Sequence, residues 1–160
     1  RDLEQAKSYA MGRYYGQNEK RFGLIASSKS KILPMFGVYN DYLATRKVQA
    51  GPWFNDPPNS VKSCCAFNSV ATEFQCQGLE LDLPIVCWDD DLLWDDGWKT
   101  KKTTRRSKLK DPHTIRLNSY RVLLSRGRDG IIIFVPPHEK LDSTHKVLVD
   151  SGLIELNLTE

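Results

Sequence analysis

Apolar positions in this chain gather into short dense runs divided by polar, glycine-bearing or proline-bearing stretches. Leu3, Ala6, Tyr9, Ala10, Arg13 and Tyr14 follow i, i+3, i+4, i+7 spacing, which predicts a helix over about Asp2 to Tyr15, stopped by Gly16 and Asn18. Arg21 to Ala26 reads as a buried strand, followed by the turn Ser27-Ser28-Lys29-Ser30-Lys31 and a short helix. Prolines and glycines from Pro34 to Ser60 exclude long regular elements, so residues 34–60 form an irregular insertion. A short apolar run spans Val61 to Phe67, with a helix or loop near Asn68 to Cys76 and a strand from Leu83 to Trp88. Pro112 and Thr114 mark the entry to a helix over about Ile115 to Ser125. Ile131 to Val135 is the clearest buried strand, stopped by Pro136-Pro137. A last helix, roughly Ser143 to Ser151, precedes a tail, Leu153 to Leu158, placed as an added edge strand. Apolar strands alternating with helices predict an α/β domain with a mostly parallel sheet and helices on both faces.

At 160 residues the chain fits one domain. It opens on Arg1 and its first methionine is Met11, the expectation being a fragment of a longer protein. No apolar run approaches the about 20 residues that span a bilayer, and no signal peptide opens the chain. No membrane partner is expected, and a cytoplasmic setting is the default. Cys64, Cys65, Cys76 and Cys87 lack metal-site spacing and read as buried reduced thiols. His113, His138 and His145 are scattered and read as surface residues.

The net charge of +3 is unevenly spread, for residues 99–110 hold seven basic side chains and no acidic one. That block is either a solvated flexible loop or a phosphate-contacting one, with Lys101, Lys102, Arg105 and Arg106 as the candidates for a nucleic-acid backbone. Three further features carry potential chemistry. The turn after the first strand brings Lys29 and serines to a sheet edge, where a serine-capped helix start is the plainer alternative. Trp53 and Phe54 either pin the insertion to the body or stack on bases. Asp89, Asp90 and Asp91, with Asp95 and Asp96, follow the 83–88 strand; they read either, together with Glu80 and Asp82, as Mg²⁺ ligands of a nuclease or as solvated turns pinned by tryptophans and paired with the basic block. No metal-ligating residue is assigned. A Walker A loop, G-x-x-x-x-G-K-[ST], is absent, so the phosphate cradle of an NTPase is not encoded here.

Thr72-Glu73-Phe74-Gln75-Cys76-Gln77-Gly78-Leu79-Glu80-Leu81-Asp82 and Tyr120-Arg121-Val122-Leu123-Leu124-Ser125-Arg126-Gly127 resemble motifs V and VI of the second RecA-like domain of superfamily-one helicases. Together with Arg21-Phe22-Gly23-Leu24-Ile25-Ala26-Ser27-Ser28-Lys29, the wording resembles the Schlafen group 3-like DNA/RNA helicase domain over essentially the whole chain. The resemblance implies a three-layer RecA-like fold of P-loop NTPase type and an ATP site, with Mg²⁺, shared with an N-terminal RecA-like domain of the same parent. It assigns Arg126 to charge on the transferred phosphoryl, Gln77 to the γ-phosphate region, and Glu80, with Gly78 and Lys29, to nucleotide. Thr72 is assigned to single-stranded DNA or RNA. Phe74 stands where relatives carry histidine. Residues 1–160 are then expected to be the C-terminal half of an ATP-dependent helicase or translocase, active only with its other half. The alternatives are a Mg²⁺-dependent nuclease and a non-catalytic nucleic-acid-binding module.

Overall fold

A computed structural model describes residues 1–29, 31–101 and 111–156. Its centre is a four-stranded sheet of β1 (Phe22–Ala26), β2 (Val70–Thr72), β3 (Leu83–Cys87) and β6 (Ile132–Phe134) in the order β2-β1-β3-β6. All three pairings are parallel, with Leu24 opposite both Val70 and Ile85, and Cys87 opposite Phe134. Parallel strands covered by other elements need no alternation, and every residue of β1, β2 and β3 is buried. The chain steps from β1 to one neighbour and then crosses to the other, so the order reverses between β1 and β3. The carboxyl ends of these two strands flank the switch point at which open α/β sheets form a crevice.

The helices start where the sequence places its caps. Asp2 accepts from the Gln5 amide to open α1 (Leu3–Arg13), and Asp111 accepts from the Thr114 amide, with Pro112 in the first turn of α4 (Pro112–Leu124). Helix α1 packs on β3 and β6, and α5 (Asp142–Asp150) packs against the hairpin described below. The insertion holds only a 3₁₀ turn at Leu33–Phe36 and two short helices, α2 (Tyr42–Thr45) and α3 (Ala50–Asn55). Trp53 is 1% exposed and belongs to the main core, with the half-buried Phe54 packed against it. Among the described residues no helix is long and apolar enough to cross a membrane.

Four elements depart from the sequence expectation. Residues 70–72, expected within a helix or loop, form β2; three residues are too few to show a period, and their pairing with β1 is what makes them a strand. The run 131–135, expected as a buried strand, yields β6 at the sheet edge with Ile131, Ile132 and Ile133 half-buried, because among the described residues it pairs with β3 alone. The stretch after the aspartates folds into an antiparallel hairpin of β4 (Leu92–Trp94) and β5 (Trp98–Thr100), turning through Asp96 at φ 46° and Gly97 at φ 137°. The basic block therefore begins inside a strand, and residues 102–110 lie outside the described residues. Tail residues 153–156 are not in a strand, and the rest of that expectation falls outside the described residues.

Gly23 shows how closely the sheet is covered. A Cβ there would meet the Cys64 Cβ at 2.7 Å and the Cys64 carbonyl oxygen at 3.1 Å. Gly23→Ala is expected to lower stability by about 1–3 kcal/mol through this overlap. Urea denaturation checks it, and a loss of only a few tenths would show that the 3₁₀ turn at Cys64–Ala66 gives way freely.

Candidate functional sites at the two sheet edges

Because all four strands run the same way, the sequence-predicted residues sort by edge. At the amino-terminal edge the turn before β3 meets the turn after α4. The Leu81 amide donates to the Arg126 carbonyl at 2.8 Å and the Arg128 amide to the Leu81 carbonyl at 2.8 Å, a parallel bridge that extends the sheet by one step. Arg126 is half-buried here. Its Nε donates to the Val122 carbonyl at 3.0 Å, Nη1 to the Leu79 carbonyl at 3.2 Å and Nη2 to Ser125 Oγ at 3.0 Å. Its guanidinium thus ties the last turn of α4 to the 79–81 segment. Glu80 is exposed and pairs with Arg128 at 3.1 Å. Gln77 and Gly78 are exposed, and Gly78 takes φ 83° with open space where a Cβ would be. Beside them, Lys20 bridges Asp82 at 3.1 Å and Asp129 at 2.9 Å.

Lys29 and Thr72 lie at the opposite, carboxyl-terminal edge, so the fold does not bring them to Arg126. Lys29 is exposed, and its amide donates to Ser27 Oγ at 3.2 Å. Thr72 is buried, its amide and hydroxyl both donating to Gln75 Oε1, while Gln75 Nε2 donates to the Thr45 carbonyl at 2.6 Å. Lys101 forms an ion pair with Asp90. Lys102, Arg105 and Arg106 fall outside the described residues.

The carboxyl-terminal edge also holds a polar network that sequence reasoning missed. Asp89, Asp90 and Asp91 are 0%, 2% and 5% exposed, which corrects the reading of this stretch as a solvated turn. They are buried because each meets donors. Asp89 accepts from the amides of Ile32 and Leu33, Asp90 pairs with Lys101, and Asp91 accepts from the Tyr120 hydroxyl at 2.7 Å and from Ser27 Oγ. Arg116 joins the ends of three segments, with Nε 3.0 Å from Asp91 and Nη1 3.4 Å from Glu73 and donating to Ser27 Oγ. Glu73 in turn accepts from the Ser28 amide and hydroxyl. One signal was available: Arg116 shares a helix face with Ser119, Tyr120 and Leu123, three, four and seven residues on, all of them buried, and an arginine on such a face calls for a buried acceptor. No group of three or more His, Cys, Asp or Glu arranged to hold a metal ion occurs among the described residues. All four cysteines are buried free thiols, as expected from sequence, whereas all three histidines are half-buried rather than fully on the surface.

Burial pushes the Asp89 carboxyl up to about 6, against the amides of Asp90, Leu33 and Ile32, which pull it down. A carboxyl raised above its ordinary 3.8 holds its proton longer in the folded state than in the unfolded one. Its contribution to stability is therefore largest at low pH and is lost as pH rises from about 4 to about 6. Asp89→Asn keeps an acceptor oxygen and removes the titration. Urea denaturation at stepped pH should show the variant's profile less downward-sloping than the wild type across that window. Parallel profiles would mean that burial does not raise the Asp89 carboxyl in the fold.

An open parallel α/β domain, with a charged turn pair at one strand edge and a buried ionic network at the other, is the class these observations define. The chain matches the Schlafen group 3, DNA/RNA helicase domain over residues 1–137, from the start of α1 through β6 to Pro137, and it belongs to that family. It is thus a helicase-like domain of a nucleic-acid-related family, and α5 lies beyond the matched stretch. No curated protein matches the chain.

Proposed function

We propose that the chain is the C-terminal, RecA-like half of an ATP-dependent DNA or RNA helicase or translocase. The observation that carries this reading is the junction of Arg126 with residues 79–81: two segments far apart in sequence, each resembling a helicase motif, share one charged edge. The donors at that edge suit an anionic oxygen, for Arg126 offers a guanidinium group and Gly78 leaves the adjacent backbone open. With no Walker A loop in the chain, the β-phosphate and Mg²⁺ would be held by an N-terminal half, and nucleotide would lie between the halves. Closing that cleft would turn Arg126 toward the γ-phosphoryl, where a fixed positive charge offsets the charge spread over the transferring oxygens. Glu80 would take a ribose hydroxyl once released from Arg128, and Gln77 would stand near the γ-phosphate. Lys101, at the other edge, and Lys102, Arg105 and Arg106, which follow it in sequence, would neutralise the phosphates of a single strand, with Thr72 facing that strand.

A metal-dependent nuclease finds less support. The three aspartates that would bind Mg²⁺ are buried against Arg116, Tyr120, Lys101 and backbone amides. The test is ATP turnover by the full-length protein with and without single-stranded nucleic acid. Strand-stimulated turnover supports the motor half. Salt-sensitive strand binding with no turnover would replace it with a binding module, and Mg²⁺-dependent strand cleavage would replace it with a nuclease.

A further inference from the structure

Near the carboxyl-terminal edge of the sheet the fold leaves large rings in water. Tyr39, Tyr42 and Phe74 are 60%, 75% and 71% exposed, although each belongs to a segment that is bonded in place. Asn40, next to Tyr39, donates from Nδ2 to the Ser27 carbonyl just past β1, at 2.6 Å. Tyr42 opens α2, whose last residue, Thr45, offers its carbonyl to Gln75 Nε2 at 2.6 Å, and Gln75 is the neighbour of Phe74. Tyr39 also shares the wall of a small hollow with Ala44 of α2. Rings held on an anchored surface and kept out of the core mark a contact face.

Charge decides what that face meets. The carboxylates of residues 39–46 and 72–75 are Asp41 and Glu73, and both are taken up. Asp41 caps α2, accepting from the Leu43 and Ala44 amides, and Glu73 is buried, accepting from the Ser28 amide and pairing with Arg116. Arg46 is exposed, with its guanidinium carbon 5.9 Å from the centre of the Tyr42 ring, and has no ion-pair partner among the described residues. Ring faces beside an uncompensated guanidinium suit a ligand in which flat bases alternate with phosphates. Thr72, which the motor reading turns toward a strand, lies two residues before Phe74.

We infer that Tyr39, Tyr42 and Phe74 are a stacking face for the bases of a single-stranded nucleic acid, with Arg46 on its phosphates. The inference rests on the reading of this domain as one that binds a strand, and adds that bases are held as well as backbone.

The experiment follows fluorescence anisotropy of end-labelled strands with the full-length protein at fixed ionic strength. Oligothymidylate and oligouridylate are compared with an abasic strand of equal length, which keeps the phosphates and lacks the bases. The triple replacement Tyr39→Ala, Tyr42→Ala and Phe74→Ala, all at exposed side chains, is expected to weaken pyrimidine-strand binding by about tenfold or more and abasic-strand binding by less than about twofold. The salt dependence of pyrimidine-strand binding should stay that of the wild type, because no phosphate contact is removed. A ring-dependent loss on either pyrimidine strand supports the inference, and the sugar of that strand assigns DNA or RNA. Pyrimidine-strand binding indifferent to the rings overturns the inference, leaves strand binding itself intact and gives the face to a protein partner. Equal weakening of pyrimidine and abasic strands also overturns it, since a distorted edge and not lost stacking would be the cause. A wild type that binds no strand removes the strand reading and the inference together.

Discussion

Arg126→Ala in the full-length protein is expected to lower strand-stimulated ATP turnover by about a thousandfold or more while leaving nucleotide affinity largely intact. The asymmetry follows from where the charge acts. A guanidinium that meets the γ-phosphoryl only on cleft closure stabilises the transition state far more than the bound ground state, so the loss falls on kcat. The alternative role is structural, because Arg126 follows the end of α4, where a cation offsets the helix dipole and its three donors satisfy carbonyls and a hydroxyl. Three substitutions separate the two roles. Arg126→Ala removes about three hydrogen bonds, worth roughly 1 kcal/mol each, so unfolding must be monitored alongside turnover. Arg126→Lys keeps the charge but not the planar fork, and should restore folding more fully than turnover. Arg128→Ala, which only breaks an exposed pair with Glu80, should change turnover by no more than a few-fold. Turnover insensitive to Arg126 would reduce this edge to a structural junction.

What could be read in advance divides along a physical line. The buried strands Phe22–Ala26 and Leu83–Cys87 declare themselves as continuous apolar runs, and α1 and α4 by capping aspartates and spacing. β2 does not, since Val-Ala-Thr has no signature until β1 lies beside it. The β4–β5 hairpin was legible in principle, because Asp96-Gly97 between Leu92–Trp94 and Trp98–Thr100 is a turn signal flanked by aromatic and apolar residues. At the candidate sites, residues 77–80 and 126 stand out through local wording, which a sequence displays directly. Arg116 is bonded to Ser27 across 89 residues of chain, and nothing local to either announces the other. Local patterning likewise presents Asp89-Asp90-Asp91 as a water-facing acidic run, whereas long-range partners bury it.

That network carries the second large expected effect. Arg116→Met keeps the length and apolar stem of the side chain and removes its charge, leaving Asp91 and Glu73, each about 6% exposed at the side chain, without their guanidinium. Breaking a buried pair by deleting one partner typically costs about 3–5 kcal/mol, because the remaining carboxylate stays desolvated. For a domain of this size that is about a 10 °C fall in Tm, readable by circular dichroism on residues 1–160. Adding Asp91→Asn to Arg116→Met removes one orphaned charge while keeping an acceptor for Tyr120. The double variant should therefore be more stable than Arg116→Met alone, even though Asp91→Asn in the wild type is destabilising, a sign reversal that a double-mutant cycle isolates. A loss below about 1 kcal/mol for Arg116→Met would place the network in the solvent-screened range of surface pairs. The full loss would make Arg116 the tie that holds the ends of β1 and β2 and the aspartates after β3 in one arrangement. The crevice at the switch point would then have a rigid, charge-balanced floor built from the residues that follow β1, β2 and β3.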